Sequence, residues 1–226
     1  MEVSQFAQVS LDWRPGALIY KDRWLVVKDA INAKADYVFF LDDDMLMAQG
    51  WMEQLWKTLK SSAFVAVSGV APMRKVHTSL CVSWKHPQGM VDLRNFPGHE
   101  QLEENPVREV EGFGNACCLI DLKRLKSALS HLSESDEWDH NDEWQNPFLP
   151  IKVEDEDTGK RHILGEDLAF CRQVRIGRGR LAIDYRVRPG HLITAPIHFS
   201  DFLYEYERLQ KIEEKKQNAR PKLLLP

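Results

Sequence analysis

The stretch Ala35-Asp36-Tyr37-Val38-Phe39-Phe40-Leu41-Asp42-Asp43-Asp44-Met45 decides how this chain reads. Tyr37 to Leu41 are β-formers without polar alternation, the pattern of a strand covered by apolar layers on both faces. Three carboxylates follow it directly. A buried carboxylate must be offset or its pKa shifts until it is neutral, so a cation is expected at the mouth of this strand. In open α/β sheets ligands gather at the carboxyl ends of parallel strands. Oxygen donors in the loop after such a strand suit Mg²⁺ or Mn²⁺ better than a soft metal. Asp42 and Asp44 are expected to point the same way, with Asp43 turned back. The plainer alternative is an acidic cap for the helix expected from Gly50 to Lys60, for which one Asp would suffice.

Outward from that strand the text alternates. Val3, Phe6, Ala7, Leu11 and Trp13 follow helical spacing until Arg14-Pro15-Gly16, and Ala17 to Tyr20 reads as a short strand. Trp24, Val27, Ala30 and Ile31 share a helical face leading into Tyr37 to Leu41. Beyond the Gly50 to Lys60 helix come a buried strand at Phe64 to Val67 and a proline-punctuated insert from Ser68 to Arg108. The insert has one clear strand, Leu80 to Trp84, and is expected to line a substrate and not to build the core. Ala116 to Ile120 returns as a buried strand, and Asp121 caps a helix carrying Leu122, Leu125 and Leu129. Ser133 to Asp157 holds ten acidic residues against one lysine. With Trp138, Trp144 and Phe148 interleaved, it reads as a mobile flap too polar for core. A helix opens at Gly165-Glu166-Asp167, a strand follows at Leu181 to Ile183, and Ser200 caps an amphipathic helix to about Asn218. The expectation is an α/β fold with a mixed, mostly parallel sheet between helices. It would form a single domain over 1–199, with the helix and tail of 200–226 packed on it.

The 226 residues suffice for one sizeable core. An apolar content of 43% is ordinary for a globular protein. No apolar run approaches the ~20 residues of a bilayer span, so no membrane span is expected. Met1 to Gln5 lacks the basic start of a signal peptide, and Cys81, Cys117, Cys118 and Cys171 show no Cys-x-x-Cys spacing. Both point to a cytoplasmic location. A net charge of −4 speaks against broad binding to a nucleic-acid backbone. Arg172, Arg175, Arg178, Arg180, Arg186 and Arg188 leave two readings open, a phosphate-binding patch or a solvated helix and strand edge.

Three more features fall at element ends: Glu111-Gly112-Phe113-Gly114-Asn115 before the Ala116 strand, Gly165-Glu166-Asp167 opening a helix, and Arg188-Pro189-Gly190-His191. Singly, each has a structural explanation. In order, and together with Asp42 to Asp44, they resemble the metal-dependent GT-A glycosyltransferases, above all compact members similar to family 2. The resemblance runs from about Ala17 to His191. It implies a GT-A-like fold that holds a nucleotide-diphosphate-sugar, most readily a UDP-sugar, with Mn²⁺ or Mg²⁺. Asp42, Asp44 and His191 would be the metal ligands, and Arg23 with Asp42, Asp43 and Asp44 would contact the nucleotide. Gly114 and Asn115 would bind substrate. Asp167 would be the general base of an inverting transfer, with Glu166 beside it. The acceptor, whether glycan, lipid, protein or modified nucleic acid, is not named by these residues. The chain departs from the family in two places: Trp24 stands where an Asn usually follows the Arg, and where the family has its opening strand, either this chain is shortened or Ala17 to Tyr20 helps to fill its place. Two other functions compete, a silent carbohydrate-binding or scaffold protein of the same fold and a metal-dependent phosphoesterase or nucleotidyltransferase.

Overall fold

The computed structural model describes residues 10, 12, 18–72, 82–83, 103–132, 146–154, 159, 161–192, 196–197, 200, 204, 207–208 and 210–211. Helix α1 (Ile19–Asn32) leads into β1 (Tyr37–Leu41) and the short β2 (Met45–Leu46). Helix α2 (Trp51–Lys60) and β3 (Ala66–Ser68) follow, then β4 (Val82–Ser83), β5 (Val107–Val110) and β6 (Gly112–Phe113). Strand β7 (Cys117–Asp121) runs into α3 (Leu122–Leu132), and β8 (Ile151–Glu154) pairs with β9 (Arg161–Leu164) as a hairpin. Helix α4 (Glu166–Ile176), β10 (Leu181–Asp184), β11 (Gly190–Leu192) and β12 (Pro196–Ile197) complete the described elements.

The main sheet has five strands in the order β1-β7-β3-β10-β5. Only β3 and β10 pair in parallel; β1–β7, β7–β3 and β10–β5 are antiparallel. The expected mostly parallel sheet is therefore corrected to a mostly antiparallel one. The reason lies in β7, which runs against both neighbours. It leaves β1, β3 and β10 pointing the same way, so their carboxyl ends still share one edge.

Both faces of β1 are covered, which explains its unbroken apolar text. Val38 and Phe40 pack with Trp24 and Val27 of α1, Leu125 and Leu129 of α3, and Phe170 and Val174 of α4. Tyr37 and Phe39 pack on the other face with Leu55 and Leu59 of α2. In β7, Cys118 and Ile120 join the first layer while Cys117 and Leu119 join the second. Successive side chains of a strand point to opposite faces, so one strand with no polar position serves two cores.

Three further expectations change. Ala17 to Tyr20 is not a strand, because helix α1 already begins at Ile19 and buries Arg23, Trp24 and Val27. The Ser68 to Arg108 insert is not wholly outside the core, because β5 closes one edge of the main sheet against β10. The end of the expected acidic flap belongs to the core: Phe148 is fully buried, stacked on Phe170 at 4.7 Å and edge-on to Phe40 at 5.8 Å. Trp138 and Trp144, the first segment to Trp13 apart from residues 10 and 12, and most of 200–226 lie outside the described residues. Ser200, Tyr204, Glu207, Arg208, Gln210 and Lys211 are helical and exposed.

Candidate functional site

The site forms where β1 runs out. The β1–β7 ladder goes one step beyond Leu41, with the Asp42 amide donating to the Ala116 carbonyl at 3.0 Å. Asp42 therefore faces the turn of residues 114–116 between β6 and β7. Helix α4 is seated against that turn, since the Phe113 amide donates to the Cys171 thiol at 3.4 Å. Gly165 precedes it in an extended conformation. Glu166 and Asp167 occupy the first turn, where acids favour the positive end of the helix dipole.

A guanidinium stands at the centre of these acids. Arg23 projects from α1, is only 5% exposed and passes beneath the Phe40 ring, 5.7 Å from its centroid. Its Nη2 donates to Asp42 Oδ1 at 3.1 Å, and its Nη1 lies 3.7 Å from Glu166 Oε1 and in direct contact with Asp167 Oδ1. The cation that the Asp42 sequence demanded is thus met first by the protein itself. Burial works against the charge on Arg23, but Asp167, Asp42 and Glu166 outweigh it and raise its pKa. Burial pushes the Asp167 carboxyl up to about 6, and the Glu166 charge adds to the rise. Arg23 and the Asn115 backbone amide, which donates to Asp167, pull the other way. The Asp167 side chain keeps 27% of its surface exposed, so the group is held but reachable.

Asp44 and His191, distant in sequence, meet through a second, three-stranded sheet. His191 of β11 is in register with Met45 of β2, and the Leu192 amide donates to the Asp44 carbonyl at 2.7 Å. Both Asp44 carboxylate oxygens are enclosed, and His191 Nδ1 lies 2.7 Å from the Pro72 carbonyl oxygen. Asp43 is exposed. The alternative reading of the three acids as a helix cap is set aside: β2 intervenes, and the N-cap of α2 is Gly50 at φ +82°. Among the described residues the arrangement is incomplete as a metal centre. Among the described residues no group of three His, Cys, Asp or Glu side chains could hold an ion, and Asp42 is engaged by Arg23. An Asp44 carboxylate and a His191 imidazole suit Mn²⁺ as donor types, and an ion there would need ligands beyond the described side chains.

Gly114 and Asn115 also reach this edge. The Ser68 hydroxyl lies 3.1 Å from the Gly114 carbonyl and holds the turn to the end of β3. Asn115 is fully buried, and neither its side-chain oxygen nor its nitrogen has a hydrogen-bond partner among the described residues. A buried amide so placed costs about 1–3 kcal/mol unless something meets it. The sequence marked Arg23 as a nucleotide contact; its role as hub of the acids was not legible there, although an Arg on the inward face of an amphipathic helix was the available signal. The arginine-rich segment resolves differently. Arg175, Arg180, Arg186 and Arg188 pair with Glu111, Glu109, Asp184 and Glu103, which favours the strand-edge reading over a phosphate patch.

No protein-family model and no curated protein matches this chain. Among solved structures it is similar to A197 from STIV at 16% sequence identity, with a TM-score of 0.50 over 82% of this chain and 72% of that one. At that identity the likeness bears on the fold alone. No described helix is long and apolar enough to cross a membrane.

Proposed function

We propose that the protein is a glycosyltransferase that moves a sugar from a nucleotide-diphosphate-sugar, most readily a UDP-sugar, to an acceptor hydroxyl with inversion. The observation that carries this reading is the convergence of Arg23, Asp42, Asn115, Glu166 and Asp167, drawn from four separate parts of the chain, on the carboxyl edge of β1. Asp167 takes the acceptor proton as the acceptor oxygen attacks the anomeric carbon. The bond from that carbon to the diphosphate breaks, and its electron pair leaves with the nucleoside diphosphate. A carboxyl titrating near 6 suits this role, because it is ionised at neutral pH yet basic enough to draw a proton in the transition state. Asn115 offers its amide to a sugar or acceptor hydroxyl, and Gly114 leaves the turn open to substrate. Mn²⁺ or Mg²⁺ on Asp44 and His191, completed by the donor's phosphate oxygens, would supply charge stabilisation to the leaving group.

A second reading keeps the fold without turnover. The contacts of Arg23 with both Asp42 and Asp167 favour it, because paired acids are less free to act. Two measurements decide. Nucleoside diphosphates with Mn²⁺ are expected to raise the melting temperature, since ligands bound only by the folded state stabilise it. Nucleotide-sugars are then expected to release nucleoside diphosphate, at a rate that falls by orders of magnitude in Asp167→Asn with donor binding retained. Binding without turnover would select the silent reading, and no stabilisation by any nucleoside diphosphate with either metal would remove both.

A further inference from the structure

We infer that Arg23 is the positioning residue of Asp167, a forked cation built into the fold that orients this carboxylate and fixes its readiness to take a proton. The inference deepens the proposed function and rests on its reading of Asp167 as the base.

The geometry is specific to a guanidinium. One end of the fork, Nη1, serves Asp167 and Glu166 on α4, and the other, Nη2, serves Asp42 at the end of β1. A planar fork can hold acids on two elements at once, whereas an ammonium is a single point charge on a flexible stem. Arg23 has little freedom to leave. It is 5% exposed, its helix also buries Trp24 and Val27 just after it in sequence, and Phe40 lies over its guanidinium. Asp167 is thereby fixed from two directions, by Arg23 of α1 and by the Asn115 amide of the β6–β7 turn, with its remaining face open.

Among the described residues, the charged and titratable groups around Asp167 are few. Glu166 is its neighbour on α4 and Arg23 faces it from α1. Asp42 acts by sharing Arg23, and the thiols of Cys118 on β7 and Cys171 on α4 are pushed up by burial and stay neutral. Within this set Arg23 is the only positive charge that holds Asp167 down.

The test follows the Asp167 carboxyl by carbon NMR between pH 4 and 9 in the full chain, with Arg23→Gln, Arg23→Lys and Glu166→Gln beside the unaltered protein. Arg23→Gln is expected to move the Asp167 midpoint upward by about one unit or more, a tenfold change in proton affinity. Glu166→Gln is expected to move it downward, because a like charge is removed. Arg23→Lys should fall between the unaltered protein and Arg23→Gln, since charge is kept and the fork is lost. An unmoved midpoint in Arg23→Gln, with near-UV circular dichroism intact, overturns the inference. If that variant does not fold, Arg23→Lys decides, and a midpoint equal to that of the unaltered protein overturns it. Where transfer is measurable, Arg23→Lys is expected to lower kcat with the donor KM little changed. The titration needs no turnover: shifts without any sugar transfer would sink the base reading alone, and transfer with unmoved midpoints would sink the positioning role alone.

Discussion

Single residues at this site trade stability for readiness to bind. Asn115 is the clearest case, a fully buried amide whose two polar atoms are unmet among the described residues, while its backbone amide is used by Asp167. Asn115→Ala keeps the backbone donor and removes the unmet amide. It is expected to leave stability within about 1 kcal/mol of the starting protein, or to raise it, although most truncations of buried residues cost more. Urea unfolding checks this, and a loss of several kcal/mol would show that the amide is met inside the fold. Asp184 stands at the opposite extreme. It is fully buried, yet Thr58 donates to it at 2.6 Å, Gln54 at 3.1 Å and Arg186 at 2.8 Å. Burial works against its charge, but these hydrogen bonds outweigh it and hold its carboxyl below the usual range. Asp184→Ala is expected to cost about 2–3 kcal/mol at neutral pH, less than a fully enclosed pair because Arg186 can return to water. Asp184 and Asp167 carry opposite signs of pH dependence. The lowered Asp184 contributes stability above the ordinary carboxylate pKa, and this is lost as pH falls through its folded value. The raised Asp167 contributes stability below about 4, and this is lost as pH rises through about 6. Comparing unfolding free energies of the unaltered protein and Asp167→Asn at pH 4 and pH 7 should therefore show the difference moving against the unaltered protein as pH rises.

At the scale of elements, what the sequence disclosed depended on length and self-sufficiency. Helices α2, α3 and α4 and strands β1, β7 and β10 were legible because each carries enough apolar positions to announce its period or its two buried faces. Asp121 was legible as a cap, and its Oδ1 does accept the Arg124 amide at 2.9 Å. Strands β2, β5, β6, β8, β9, β11 and β12, at two to four residues each, were largely not. They exist because a distant partner supplies the ladder, as Met45 does for His191, and a window of sequence holds no such information. Strand direction was hidden for the same reason: nothing within Ala116 to Ile120 says that β7 runs against β1. Ala17 to Tyr20 misled because Leu, Ile and Tyr tolerate strands, while the burial of Trp24 and Val27 one and two turns later chose helix. Of the candidate site, the acids at element ends were readable and the guanidinium joining them was not. Packing between helices offers a test at this scale. A Cβ on Gly177, which follows α4, would lie 2.1 Å from the backbone oxygen of Ala128 in α3. Gly177→Ala should therefore force the two helices apart and cost about 1–3 kcal/mol, seen as a lower urea midpoint with an unchanged slope. At Gly50, where nothing lies within 4 Å but φ is +82°, alanine should cost only the backbone strain, about 1 kcal/mol.

For the molecule as a whole, the site has no local origin. Its groups come from α1, the end of β1, the β6–β7 turn and the start of α4, so their geometry is as firm as the apolar layer that joins those elements. Phe148 ties that layer together. Its ring lies between Phe40, two residues before Asp42, and Phe170, three residues after Asp167. Its amide donates to the Asn146 side chain at 2.9 Å, and Asn146 in turn donates to the Tyr20 carbonyl in the first turn of α1 at 3.1 Å. One short segment therefore touches α1, β1 and α4, the three elements that carry Arg23, Asp42 and Asp167. Phe148→Ala is expected to cost about 3–5 kcal/mol, the loss for a buried aromatic whose neighbours cannot all collapse into the space. The cavity would open between the two rings that brace the acids, so amide exchange should accelerate at the start of α4 as well as around residue 148. Leu59→Ala, in the layer under α2, should destabilise the protein comparably without that local signature. Exchange that accelerates equally at the start of α4 in both variants would show that Phe148 supports the fold in general and not this site.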